Sequence, residues 1–351
     1  MNIKNRAIRI GVVGCGKIAA QHFNAIQNLS NQFELVSICD TQETMLQQTA
    51  TQFNVAGYAQ LDAMLNAHPD LDVVTLCSPS GLHAEQTIHI AKQKKHIITE
   101  KPMATRWTDG IEMVKACDKA NVNLFVVKQI RYQPTLRLLK EAILKNRFGR
   151  LYLANLNVFW TRPQSYYDQA KWRGTWEFDG GAFMNQASHY VDLLDWLFGP
   201  VQTVQAMMAT LAIQMEAEDT GVLNIRWRSG MLGAMSCTML TYPKNLEASL
   251  TVLGEKGSVK IGGTSANQID HWAFDTPDET QDTLAEQLKN PDHTNTSSTG
   301  HTHYYENVAK TLRGEAPADI DGRAGLRSLE ILTAAYLSAR DHQTIHLPLM
   351  F

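Results

Sequence analysis

The chain has 351 residues, 44% hydrophobic and 19% charged, and its 32 basic and 35 acidic side chains leave a formal net charge of -3. That length suggests two domains, each able to bury its own core, and it excludes disorder over most of the chain. The near-neutral balance gives no long-range field for a polyanion, so neither nucleic acid nor a membrane surface is expected as a partner, and any anionic ligand must be met by a local cluster.

The segment Met1 to Arg9 is polar and basic, without an apolar signal core, and no run of about eighteen uncharged apolar residues follows it, which predicts a cytoplasmic protein. The first third alternates short apolar runs with longer amphipathic ones, the pattern of strands joined by crossover helices in a parallel sheet. Strands are predicted at Ile8–Val13, Glu34–Cys39, Val73–Cys77, His96–Thr99 and Asn123–Val127. Helices are predicted between them, at Lys17–Leu29, Thr41–Phe53, Leu61–Ala67, Leu82–Lys92 and Thr108–Ala120. In such a sheet the ligand crevice lies at the carboxyl ends of the strands, so functional residues belong just after each one. From Leu151 the texture changes to period-two runs, at Leu151–Trp160, Val201–Leu211, Thr220–Trp227, Met231–Met239, Glu247–Leu253 and Ser258–Ile261, which predicts an antiparallel sheet in an α+β domain. One helix, Ser188–Phe198, interrupts them, with Gly199-Pro200 as its stop. The polar tract Gly262 to His303 reads as a long excursion, either flexible or covering a ligand, and a last helix at Arg323–Ala339 is expected to return to the first domain. The five cysteines are widely spaced and mostly in apolar runs, which predicts reduced, buried thiols rather than disulfides or a metal site.

Ile8 to Ala19 reads as a buried strand entering G-x-G-x-x-A. Gly14 permits the tight turn, Gly16 lets the backbone approach a pyrophosphate, and Ala19 lets the following helix pack closely, with its N-terminal N–H groups facing the phosphates. Asp40 ends the second strand where an acid binds the adenosine ribose hydroxyls, and its charge repels a 2′-phosphate, so NAD is favoured over NADP. Two further strand ends carry Cys77-Ser78-Pro79-Ser80-Gly81-Leu82-His83 and Glu100-Lys101-Pro102; the second places a lysine at the crevice mouth, where burial and neighbours can tune it. In the second domain a glycine turn, Gly180-Gly181, leads to Asn185, His189 and Asp192, spaced by four and three so as to share a face if the helix begins early enough. Alcohol oxidation needs a base for the hydroxyl proton, and His189 is the best candidate.

Taken in this order, the G-x-G-x-x-A turn, the Pro79 to His83 loop, Glu100-Lys101-Pro102 and the Gly180-Gly181 to His189 to Asp192 string resemble the Gfo/Idh/MocA oxidoreductase family over nearly the whole chain. The resemblance implies a Rossmann α/β domain over residues 1–127, and a substrate-binding and oligomerisation α+β domain with an open, mainly antiparallel sheet over 128–322. A C-terminal helix and tail, 323–351, complete the expected organisation. It also implies that Lys101 hydrogen-bonds the reacting hydroxyl and stabilises the alkoxide while His189 acts as base, and that Pro102 is cis. The expected NAD contacts are Gly14, Gly16, Lys17, Ile18, Asp40, Ser78, Pro79, Leu82, His83, Glu100, Lys101 and Gln129, with no metal. Sugar and inositol dehydrogenases of the family commonly carry Asp four residues before the histidine; here Asn185 stands there, an amide suited to orienting substrate rather than relaying a proton.

Arginines and aromatics concentrate just before the base-bearing helix, in Trp160 to Tyr167 and Lys171 to Trp176, and Arg131 follows the strand at Asn123. Arg131, Arg162, Trp172 and Arg173, together with Lys101, Asn185 and His189, are the expected substrate contacts, and they suit an anionic sugar. This combination resembles a branch of the family acting on UDP-linked amino sugars, which implies oxidation at C3 to a 3-keto nucleotide sugar for surface-polysaccharide assembly, in a homo-oligomer (dimer or tetramer). The alternatives are a dehydrogenase of a free sugar, sugar acid or inositol, and a non-enzymatic NAD-binding regulator.

Overall fold

The run Ile-Arg-Ile-Gly-Val-Val forms the first strand, β1 (Ile8–Val13), in which Ile8, Ile10 and Val12 are fully buried. The structure, a computed structural model, describes residues 3–290 and 296–350. It divides into two units, Met1–Gln129 with Ser297–Leu326, and Ile130–Thr296 with Arg327–Phe351.

In the first unit β1 is joined by β2 (Phe33–Cys39), β3 (Ala56–Tyr58), β4 (Val73–Leu76), β5 (His96–Thr99) and β6 (Leu124–Val126), in the order β3-β2-β1-β4-β5-β6. All pairings in this sheet are parallel, and the order reverses at the β1/β4 junction, the place where such sheets open a ligand crevice. The crossovers are α1 (Ala19–Asn28), α2 (Glu43–Phe53), α3 (Leu61–Ala67), α4 (His83–Lys92) and α5 (Trp107–Ala120). Helices α2 and α5 stop at Asn54 and Asn121, both left-handed, a conformation asparagine tolerates at a helix C-cap.

The second unit opens with α6 (Pro134–Leu144), whose proline stands in its first turn. Its sheet contains β7 (Leu151–Phe159), β8 (Val201–Ala209), β9 (Thr220–Trp227), β10 (Leu232–Thr238), β11 (Glu247–Gly254), β12 (Gly257–Gly262), β13 (Gln268–Phe274) and β14 (Ile345–His346). Their order is β13-β12-β11-β7-β10-β9-β8-β14, with β7 and β10 parallel and the other pairs antiparallel. A short helix, α7 (Gln164–Tyr167), and a π-helical turn, Ala182–Gln186, precede α8 (Ser188–Phe198). Most of α8 is buried, and Trp227 Nε1 of β9 donates to its Leu194 carbonyl at 3.1 Å.

The polar tract is not an excursion: it holds β13, α9 (Glu279–Gln287) and the start of α10 (Thr296–Arg313), while residues 291–295 lie outside the described ones. Its polarity reflects an edge strand and a surface helix, each burying few residues, such as Ile269 and Ala285. Helix α10 buries Tyr304, Tyr305, Val308, Ala309 and Leu312 in the first unit. The last helix, α11 (Gly322–Asp341), begins in that unit, where a Cβ on Gly325 would stand 2.6 Å from Val126 Cγ2. From Arg327 onward the chain groups with the second unit instead of returning to the first: Ser338 Oγ accepts the Ala206 N–H at 2.9 Å, and β14 pairs with β8. Cys15, Cys39, Cys77, Cys117 and Cys237 are free and buried, as expected, and burial pushes the Cys39 thiol up to about 11. Among the described residues no helix is long and apolar enough to cross a membrane.

Candidate active site

In the first unit Gly14 follows β1 with φ +89°, and an added Cβ would lie 2.7 Å from the backbone C and O of Cys77 and 2.8 Å from the Ser78 N. Only glycine fits there, because two strand ends meet at that turn. Gly16, two residues on, is exposed, and a Cβ on it would meet no protein atom within 4 Å. Packing therefore does not demand glycine at Gly16, whereas close approach of a ligand to the backbone at the start of α1 does. The Asp40 carboxylate accepts the N–H groups of Cys15 and Gln42, each at 2.7 Å, so it fixes the turn after β1 and the entry to α2 together. It spans the turn rather than capping α2, whose N-cap is Gln42. Lys17 is exposed, and Ile18, Pro79 and Leu82 are half-buried at the same end of the sheet.

His83 and Ser78 join the next two loops. Ser78 Oγ donates to Gln86 of α4 at 2.6 Å. The buried His83 ring stands between two carbonyls, 2.9 Å from that of Ser78 and 3.0 Å from that of Pro102, and as a neutral imidazole, which burial favours, its single N–H donates to one of them, on the β4 loop or on the β5 loop. The Lys101–Pro102 bond is cis, as the resemblance implied. Beside it lies a polar cluster assembled from distant parts of the first unit. His22 Nε2 is 2.9 Å from Glu100 Oε1, and His22 Nδ1 is 2.8 Å from the Tyr305 hydroxyl, which is 3.1 Å from Thr75 Oγ1. With Nε2 protonated, every hydrogen in this chain has an acceptor: Thr75 to Tyr305, Tyr305 to His22, His22 to Glu100. Burial pushes the Glu100 carboxyl upward, but the hydrogen bond with His22 and the nearby His301 ring outweigh it and hold the group well below the usual range, while burial lowers His22. His301 Nε2 stands 3.7 Å from the same oxygen. The other Glu100 oxygen accepts the Lys101 N–H at 3.0 Å, so the cluster anchors the backbone of the lysine. Gly300 approaches Gln129 closely, a Cβ there falling 2.9 Å from its carbonyl oxygen.

In the second unit His189 and Asp192 lie on α8, whereas Asn185 sits on the preceding π-turn, closed by Ala187 N–H donating to Ala182 O at 2.8 Å. The three therefore do not share one α-helical face. The Asn185 amide donates to Asp179, whose other oxygen accepts the Gly174 N–H at 2.8 Å. Arg162 and Arg173 gather on one ring: their guanidinium carbons lie 5.6 and 4.3 Å from the Tyr166 centroid, with Trp160 against Arg162 and Trp172 against Arg173. Arg173 Nη1 also donates to the Tyr166 hydroxyl at 2.6 Å, and Arg162 to the Thr161 carbonyl at 2.7 Å. Among the described residues no carboxylate is paired with either guanidinium. Arg131 does not join them. It is buried and makes a two-pronged pair with Asp192, Nε to Oδ2 at 2.6 Å and Nη2 to Oδ1 at 2.7 Å, with Trp196 5.5 Å away.

The family profile described as oxidoreductase family, NAD-binding Rossmann fold, matches residues 8–128, and its companion, the C-terminal alpha/beta domain, matches 140–347. The chain belongs to the Gfo/Idh/MocA oxidoreductase family. Among solved structures it is similar to the WlbA dehydrogenase from Bordetella pertussis in complex with NADH and UDP-GlcNAcA, at 53% identity and a TM-score of 0.95, covering 99% of this chain and 100% of that one. The WlbA dehydrogenase of Chromobacterium violaceum, also in complex with NADH and UDP-GlcNAcA, is 55% identical with a TM-score of 0.93, covering 100% and 99%. A more distant relative is myo-inositol 2-dehydrogenase of Thermotoga maritima, 26% identical over 72% of this chain and 74% of its own.

As a family member the chain is an NAD-dependent oxidoreductase, and the Gly14 and Gly16 turn, the start of α1 and Asp40 fit that cofactor. The family motifs single out Gly14, Gly16, Lys101 and His189. The supporting residues His22, Tyr305, Glu218 and Tyr336 lie outside those motifs, and Asp179 lies within the glycine-turn string without an assigned role. Only His22 left a signal, a polar side chain among the buried positions of α1.

Proposed function

We propose that this protein oxidises the C3 hydroxyl of UDP-N-acetylglucosaminuronate to the 3-keto sugar, with NAD as cofactor, for surface-polysaccharide sugar biosynthesis. The observation that carries the reading is the Arg162 and Arg173 pair, without a carboxylate neighbour among the described residues and faced by Tyr166, Trp160 and Trp172. It stands in a chain more than half identical to two dehydrogenases crystallised with NADH and UDP-GlcNAcA. Bound NAD supplies the hydride acceptor; the start of α1 holds its diphosphate and Asp40 its adenosine ribose. His189 takes the hydroxyl proton as the C3 hydrogen leaves, and the Lys101 ammonium stabilises the charge that develops on the oxygen. Asn185, its amide fixed by Asp179, orients the sugar. Arg162 and Arg173 hold the anionic groups by forked hydrogen bonds, and their aromatic neighbours hold the rings.

The test follows NADH absorbance with UDP-N-acetylglucosaminuronate, inositol and simple sugars. The reading predicts turnover with the first alone, and failure of millimolar UDP to raise the melting temperature would refute the nucleotide-sugar assignment. Lys101→Ala and His189→Ala should each abolish NADH formation and keep NADH binding, so full turnover in either would refute its role.

We further propose that the enzyme is cytoplasmic and homo-oligomeric, a dimer or tetramer. Five buried free thiols suit a reducing compartment. On the outward face of the second sheet Leu153, Val222, Leu232 and Met207 are 40%, 43%, 47% and 73% exposed, an apolar surface suited to a second copy. Light scattering after gel filtration tests the assembly; a monomer at micromolar concentration would refute it.

A further inference from the structure

The π-turn Ala182–Gln186 begins at the Gly180-Gly181 corner and runs into α8, so its placement sets where Asn185 and His189 stand. The first N–H groups of a helix have no partner within it. Here three successive ones are taken by two side chains and a carbonyl from other elements. Ala182 N–H donates to the Glu218 carbonyl at 2.8 Å, Phe183 N–H to Glu218 Oε1 at 2.9 Å, and Met184 N–H to the Tyr336 hydroxyl at 3.1 Å. The Tyr336 hydroxyl in turn donates to Glu218 Oε1 at 2.9 Å. Glu218 precedes β9, is only 3% exposed, and presses on the corner: a Cβ at Gly181 would sit 2.0 Å from Glu218 Oε2. Gly181 is therefore glycine because the carboxyl group occupies its side-chain space.

A buried carboxyl group is costly and needs a purpose. We propose that Glu218 and Tyr336 are positioning residues for the oxidation: they cap the π-turn from outside and fix the start of α8, and hence the placement of Asn185 and His189. The inference rests on the reading of His189 as base. Neither residue reaches the reacting atoms; both act through the backbone of residues 182–184.

The test compares Glu218→Ala, Glu218→Gln and Tyr336→Phe in the full-length enzyme, with NAD and UDP-N-acetylglucosaminuronate. Glutamine keeps an oxygen for Phe183 N–H and the tyrosine hydroxyl, whereas alanine and phenylalanine each open the cap. The expected result is a loss of kcat of at least tenfold in Glu218→Ala and Tyr336→Phe, with NADH affinity changed less than twofold and kcat in Glu218→Gln within about threefold of the parent. Hydrogen exchange at the amides of residues 182–184 should quicken in the first two variants and not in the third. Parental kcat in folded Glu218→Ala or Tyr336→Phe would overturn the proposal, as would equal kcat losses in Glu218→Ala and Glu218→Gln. The exchange measurement reads the cap without reference to His189, so a failed base assignment, seen as full turnover in His189→Ala, is distinguishable from a failed cap.

Discussion

Alanine placed in turn at Gly14 and Gly16 should separate folding from cofactor binding, although the two glycines stand two residues apart in one motif. At Gly14 the substitution forces an L residue to φ +89° and drives a Cβ to 2.7 Å from the Cys77 carbonyl carbon. Strain of this kind costs about 1–3 kcal/mol. At about 2–4 °C per kcal/mol for a unit of this size, the melting temperature should fall by roughly 2–12 °C. At Gly16 the new Cβ meets no protein atom, so stability should hold within about 0.5 kcal/mol. The penalty appears only with ligand. NADH at about 100 times its Kd stabilises the parent by about 2.7 kcal/mol. If the added methyl weakens binding tenfold to a hundredfold, the same NADH concentration leaves only about 1.4 to 0.4 kcal/mol. Thermal unfolding with and without NADH, backed by fluorescence titration of NADH, measures both quantities on one sample. An undiminished NADH shift in Gly16→Ala would refute the placement of the diphosphate, and parental stability in Gly14→Ala would refute the steric argument.

Arg131→Met should destabilise the second unit by about 3–5 kcal/mol, because it strips a buried carboxylate of its two-pronged partner. The double variant Arg131→Met/Asp192→Leu should recover at least half of that in urea unfolding; equal losses would show that burying the pair is not what matters. Arg173→Ala should raise the KM for the UDP sugar at least tenfold with kcat within about threefold, and the reverse pattern would remove Arg173 from ground-state binding. Burial pushes the Glu218 carboxyl up to about 7 from an ordinary 4.5. The folded chain then keeps a proton that the unfolded chain has lost. The stabilisation is present in full below about 4.5 and is lost as pH rises through about 7, a change of roughly 3 kcal/mol. Glu218→Gln should flatten the stability profile across that window, and an unaltered slope would sink the attribution.

The first sheet was legible because its strands are buried on both faces and so read as unbroken apolar runs; Val73–Leu76 is buried throughout. Strand β3 was not legible: it is three residues long and lies at the sheet edge, with Ala56 and Gly57 exposed. The strands of the second unit showed through their alternation, as in β9, where every second residue is buried. The polar tract misled for the same physical reason in reverse. Strand β13 is an edge strand and α9 a surface helix, so little of either had to be apolar. The π-turn had no signal in its own five residues. Its N–H groups are accepted by a carboxyl group 35 positions away and a hydroxyl 152 positions away, which no local pattern records.

The same distinction between local and distant causes governs the charges. Arg162, Tyr166, Trp172 and Arg173 form one cluster within twelve positions, and their density in the sequence was enough to suggest an anion site. Arg131 has the same chemistry and was grouped with them, but its partner Asp192 is 61 positions away, and side-chain type alone could not reveal that pairing. The correction changes the electrostatics of the proposed site. Arg131 and Asp192 cancel each other in a dry environment, where a fork-to-carboxylate pair is strong and geometrically exclusive. Anion recognition as proposed would then rest on two guanidiniums rather than three, against a ligand whose diphosphate and carboxylate carry about three negative charges. Neutral donors must supply the remainder, and neutral donors select by geometry where bare charge cannot. On the proposed reading a chain of net charge -3 would recognise such an anion by placement, and selectivity for the nucleotide sugar over simple phosphates would follow from the aromatic faces beside Arg162 and Arg173.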